Sequence, residues 1–70
     1  REVKIFSKKL NILDLLVKTG QASSRAEARR LVEQGGVKID SKVVSDWQEN
    51  ILIKKGLIIQ AGKRSFIKVK

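Results

Sequence analysis

Three guanidiniums fall within six residues of this chain, at Arg25, Arg29 and Arg30. A guanidinium presents a rigid fork of donors that fits a phosphate or a carboxylate. The residues around them predict a helix. Ser24 and Glu27 have capping-box spacing, in which the serine oxygen takes the third amide and the glutamate reaches back to the cap amide. Ala28, Leu31 and Val32 lie at i, i+3 and i+4 and form a narrow apolar stripe. At about 100° per residue, Arg25 and Arg29 stack on one flank of that stripe and Arg30 points away from it. The N-terminal end of such a helix also offers free amides and a positive dipole, both suited to phosphate. Taken alone, the pattern fits equally well a solvated face on which Glu27 and Glu33 are the partners.

Other chemistries lack their residues. The 70 residues include no histidine, cysteine or tyrosine. A disulfide framework and a thiolate metal site are therefore excluded, and a serine nucleophile would have no histidine base. Asp40, Asp46 and Glu49 are the carboxylates that could gather around a metal, but their setting reads as turn and surface. Gly35-Gly36 lacks the lysine-serine that completes a phosphate loop. The expectation is a binding domain with no catalytic residue, no metal and no cofactor of its own.

The charge balance says what it would bind. Sixteen basic residues stand against seven acidic ones, a net charge of +9. So strong a field on so small a chain favours polyanions, with nucleic acid ahead of anionic membrane. Apolar residues make up 41%, too many for a disordered basic tail. No run of about 20 apolar residues is present to span a bilayer, and no signal peptide is visible. A single small domain from the cytoplasm is expected, opening at Arg1 as a segment of a longer protein.

The elements that must position the arginines follow. Residues 1–9 alternate weakly at Val3 and Ile5 beside Phe6 and suggest a short strand or a linker. A first helix should start at Asn11 as its cap, carry Asp14 near its positive end, and stop at Gly20 after Lys18. Its residues Ile12, Leu13, Leu15, Leu16 and Val17 are too apolar for an exposed helix. A tight link through Gln21–Ser23 leads to the second helix, with Leu15, Leu16, Leu31 and Val32 as the expected contact. Gly35 should end that helix. Val37-Lys38-Ile39 alternates as a half-buried strand, Asp40-Ser41-Lys42 reads as a turn, and Val43-Val44 should return. Trp47 is expected to be a lid on the core rather than a stacking platform. Ile51–Ile53, Leu57–Ala61 and Ser65–Val69 are strand-like, with Gly62-Lys63-Arg64 as a hairpin turn. The fold class is α+β: two short packed helices followed by a small, mainly antiparallel sheet. Residues 10–44 form the core motif and 51–70 the closing strands.

The run Ser24-Arg25, Glu27-Ala28-Arg29-Arg30-Leu31-Val32, Gly35, Val37-Lys38-Ile39-Asp40 resembles the RNA-binding module of the ribosomal protein S-four type, also called the alpha-L RNA-binding motif. The version found in bacterial tyrosyl-tRNA synthetases is the most similar. Leu13-Asp14-Leu15-Leu16-Val17, Gly20–Ser24, the paired Gly35-Gly36 and the Gly62-Lys63-Arg64-Ser65-Phe66 close carry that likeness. The resemblance implies a C-terminal domain that grips tRNA, tRNA-Tyr in particular, outside the active site of an ATP-dependent tyrosine–tRNA ligase. It also implies a homodimeric parent enzyme and no membrane contact. It places RNA contacts at Ser24, Arg25, Arg29, Arg30, Lys38 and Lys42, with Lys63 and Arg64 in a second tier. Two positions depart from the pattern. Asn11-Ile12-Leu13 replaces a common Arg-Leu-Asp, and Asp40-Ser41 replaces Asn-Gly in the strand turn, bringing a negative charge beside the RNA face. The alternatives are the same module on a pseudouridine synthase or ribosome-associated protein, and a basic protein-interaction domain.

Overall fold

The computed structural model describes residues 2–5, 7–63 and 65–70; the readings that fall on Arg1, Phe6 and Arg64 lie outside them. The chain forms β1 (Glu2–Val3), β2 (Lys9–Asn11), α1 (Ile12–Lys18), α2 (Arg25–Glu33), β3 (Val37–Ile39), β4 (Lys42–Val43), β5 (Asn50–Leu52), β6 (Ile58–Ala61) and β7 (Ser65–Val69). The helices pack on one face of a five-stranded sheet ordered β1-β7-β6-β3-β4, and β2 pairs with β5 in a separate ribbon. The fold is α+β. The sheet is antiparallel except where β1 joins β7 in parallel.

Local signals set the helices. Asn11 caps α1, its side-chain oxygen accepting from the Leu13 amide at 2.9 Å while its amide donates to the Trp47 carbonyl. Gly20, at φ +78°, takes the left-handed position that ends α1. Ser24 caps α2 by accepting from the Glu27 amide at 3.2 Å. The reciprocal arm differs from the expected box. The Glu27 carboxylate accepts from the amide and hydroxyl of Ser23, one residue before the cap.

Four of the five predicted apolar α1 residues, Ile12, Leu13, Leu15 and Leu16, are buried. They meet Ala28 and Val32 of α2 and Val37, Ile59 and Val69 of the sheet in one core. Leu31 is only half-buried and packs against the edge of that core. The stripe of α2 thus centres between Ala28 and Val32, and Leu31 sits on its shoulder.

Polar links tie the layers together. The Gln21 side-chain amide donates to the Ile59 and Ser65 carbonyls, both at 3.2 Å, and joins the interhelical link to two central strands. Asp40 and Ser41 form a two-residue hairpin, with Ile39 opposite Lys42 and φ of +49° and +72°. Those positive values are what a type I′ turn requires. The returning strand is Lys42–Val43, and Val44 lies just past it with its side chain in the core. Ile51 pairs with Leu10 across the β2–β5 ribbon, so residues 9–11 form a strand.

Candidate functional site

Helix α2 has two flanks and a crest. On one flank Arg25 pairs with Asp14 of α1, and Arg29 donates from Nε to Glu33 at 3.2 Å. The Arg29 guanidinium also lies over the Trp47 ring, 4.2 Å from its centroid. Trp47 is half-buried against the core, so its body is a lid while one ring face carries the cation. All four charged side chains of these pairs remain about half exposed, so water screens them and each pair is weak. The arginines are held but not buried, and a phosphate can compete for them.

Arg30 stands on the crest, exposed and directed away from the core. It is one turn from Glu27, whose carboxyl is held below the usual carboxylate range. The Ser23 hydroxyl is the main cause and the Ser23 amide the next; slight desolvation opposes them, and the Arg30 charge adds a little.

The other flank of α2 opens on a cleft of about 410 Å³ between the helix end and the sheet. Leu31 and Gln34 form its helix side, Gly35 and Gly36 its floor, and Lys38, Gln60, Gly62 and Lys63 its sheet side. Gly62 donates its amide to the Gly36 carbonyl at 2.6 Å, which clamps the β6–β7 turn to the end of α2. Lys38 and Lys63, 25 positions apart in sequence, are brought together here.

The candidate residues therefore divide by face. Ser24, Arg25, Arg29 and Arg30 share α2, with Ser24 used as the cap. Lys38 and Lys63 share the cleft on the opposite flank from Arg25 and Arg29. Lys42 is exposed, but its partner across the hairpin is Ile39. Directly opposed residues share a sheet face, so Lys42 leaves the sheet on the other side from Lys38. Arg64 lies outside the described residues.

The negative charge of Asp40 is turned to structural use. Its carboxylate accepts from the Ile58 amide at 3.0 Å and lies 3.7 Å from the Lys54 ammonium. Among the described residues no group of three or more acids could hold a metal ion, and no helix is long and apolar enough to cross a membrane. The Arg29–Trp47 stack escaped the sequence reading. Nothing in the spacing of residues 29 and 47 signals it; Asn11, which caps α1 and holds the Trp47 carbonyl, is what brings that loop to α2.

Comparison with known proteins adds a lineage. Residues 11–49 match the S4 domain family. The chain is 46% identical over 55 residues to a tyrosine–tRNA ligase of Moorella thermoacetica, covering 79% of this chain and 13% of that protein. It is 42% identical over 67 residues to the tyrosine–tRNA ligase of Aquifex aeolicus, covering 96% of this chain and 17% of that protein. The corresponding enzyme of Thermotoga maritima is 43% identical over 63 residues, covering 90% and 16%. The chain thus spans less than a fifth of the length of these relatives.

Proposed function

This chain belongs to the S4 domain family, and we propose that it is an RNA-binding domain that grips tRNA as part of a tyrosine–tRNA ligase. The observation that carries this reading is the cationic surface of α2. Arg25, Arg29 and Arg30 are all exposed on one short helix in a chain of net charge +9. Phosphate contacts of this kind set register and affinity without reading sequence. The likeness to tyrosine–tRNA ligases supports tRNA, and tRNA-Tyr in particular, as the RNA.

In this reading the domain performs no step of aminoacylation. Its work is to hold the RNA by electrostatics while another part of the parent protein does chemistry. Rigid helices suit that task. Ser24 fixes the start of α2, the helix pair fixes its angle, and the Trp47 ring lies under the Arg29 guanidinium. An arginine already held in one geometry loses less side-chain freedom on binding.

Titration of the chain with tRNA at several salt concentrations tests the proposal. With four to six phosphates neutralised, the slope of log K against log salt should be about −3 to −5. Binding that ignores ionic strength would refute it and favour a protein-interaction domain.

A further inference from the structure

We infer that the solvent face of the five-stranded sheet is a second RNA contact, at which Phe66 stacks on an unpaired base while lysines beside it hold the adjoining phosphates. This rests on the RNA-binding reading above but concerns a different face of the molecule. The register of the strands makes the case. Phe66 lies opposite Gln60, Gln60 opposite Lys38, and Lys38 opposite Val43. Opposed residues share a face, so these four side chains form one row across β7, β6, β3 and β4. The neighbouring buried residues Val37, Ile59, Ala61, Ile67 and Val69 point the other way, into the interior.

Phe66 is 51% exposed on this row. It is one of only three aromatic residues in the chain, and the fold leaves it in water. Its surroundings are cationic. Lys38 stands two places along the row, Lys68 is two residues on along β7, and Lys63 projects from the turn before it. None of these three lysines takes part in an ion pair among the described residues. Two acids border this face among the described residues: Glu2, opposite Lys68 on the edge strand, and Asp40, opposite Ile58 at the hairpin and already engaged by the Ile58 amide and Lys54. The row also opens at Gln60 and Lys38 into the cleft beside the end of α2, which Lys63 flanks. A ring with lysines on either side matches the charge and shape of one nucleotide and its phosphates. Stacking on an aromatic ring within a positive groove is how sequence-tolerant contact with unpaired bases is made. The two RNA contacts would lie on opposite sides of Arg30, with phosphates at the α2 flank and an unpaired nucleotide at the sheet.

The test compares the parent chain with Phe66→Leu, Phe66→Tyr and the Arg25→Ala/Arg29→Ala pair. The probes are a tRNA transcript and a twelve-nucleotide single-stranded polyuridylate carrying one 2-aminopurine, which is unstacked and bright when free and whose fluorescence falls on stacking. The parent should quench the probe. Phe66→Leu should abolish the quenching and weaken binding of the oligonucleotide roughly 5- to 150-fold, with little change in salt slope, because no charge is lost. Phe66→Tyr keeps the ring and should retain both signals. The arginine pair should lower the salt slope for tRNA and leave the quenching in place. If Phe66→Leu quenches and binds as the parent does while tRNA binding remains salt-dependent, the stacking site is wrong and the α2 reading stands. If the parent binds neither probe, both fall. Sedimentation of the same proteins covers the remaining occupant: a dimer of the parent that Phe66→Leu dissociates would assign the row to self-association and overturn the inference.

Discussion

Opposite charge changes on one flank of α2 should move RNA affinity in opposite directions. Arg25 and Arg29 are engaged by Asp14 and Glu33, so a phosphate must displace a carboxylate to reach either. Removing the arginines takes away two phosphate partners. Removing the carboxylates by Asp14→Asn and Glu33→Gln frees the same two arginines and makes the chain more positive by two charges. The stability terms are small in both cases. Each exposed ion pair contributes about 0–1 kcal/mol, and the exposed Arg29–Trp47 contact about 0.5–1 kcal/mol. Alanine returns a little through its helix propensity. The double arginine variant should therefore lose about 1–2 kcal/mol. A 70-residue domain has roughly 4–10 kcal/mol in total, so it stays folded, with a melting point lower by about 4–16 °C. Each phosphate contact contributes about 0.9 to the salt slope. Losing two should flatten the slope by nearly two units, which is about a twelvefold smaller loss of affinity between 50 and 200 mM salt. The carboxylate variant should bind tRNA more tightly than the parent at low salt. Fluorescence anisotropy of labelled tRNA measures affinity, and emission from Trp47, the one tryptophan, reports whether the Arg29 stack survives. If both variants bind like the parent with an unchanged slope, this flank does not touch phosphate. If the arginine variant unfolds, these side chains belong to the framework.

Leu16→Ala opens a cavity at a fully buried site and should cost about 2–5 kcal/mol. Leu31→Ala, half-buried at the rim of the cleft, should cost clearly less in the same urea titration. Ser41 holds φ +72° without being glycine, so Ser41→Gly should relieve the turn and raise stability by about 0.5–1 kcal/mol, read from the denaturation midpoint. Glu27 has a folded pKa below its ordinary value. Its bonds to Ser23 therefore contribute fully above the ordinary glutamate range near about 4.3 and are lost as pH falls through the depressed value. A carboxyl NMR titration should show that depression in the parent and its return toward normal in Ser23→Ala.

The sequence by itself determined both helices, their caps and their stops. Those signals are local: Asn11, Ser24, Gly20 and Gly35 act within one turn of backbone, and the apolar residues of α1 announce their own burial. The cationic face of α2 was equally legible, because helix geometry alone separates Arg25, Arg29 and Arg30 from the stripe. Tertiary structure decided what lies across from each side chain. Leu31 reads as core at its spacing, yet Ala28 and Val32 take the contact with α1 and leave it at the shoulder. Residues 9–11 are too short to read as a strand and become one because Ile51 completes the ribbon. The adjacent apolar pair Phe66-Ile67 blurs the alternation in sequence, but the pairing of Ile67 with Ile59 turns one inward and Phe66 out to the lysine row. Lys38 and Lys63 share a cleft, Lys38 and Lys42 leave opposite faces of one hairpin, and Trp47 meets Arg29. Each of these depends on strand register or on a loop held from far along the chain. A one-residue shift of register would reverse every face, and no local pattern fixes that choice; burial of Val37, Ile59 and Val69 against the helices does.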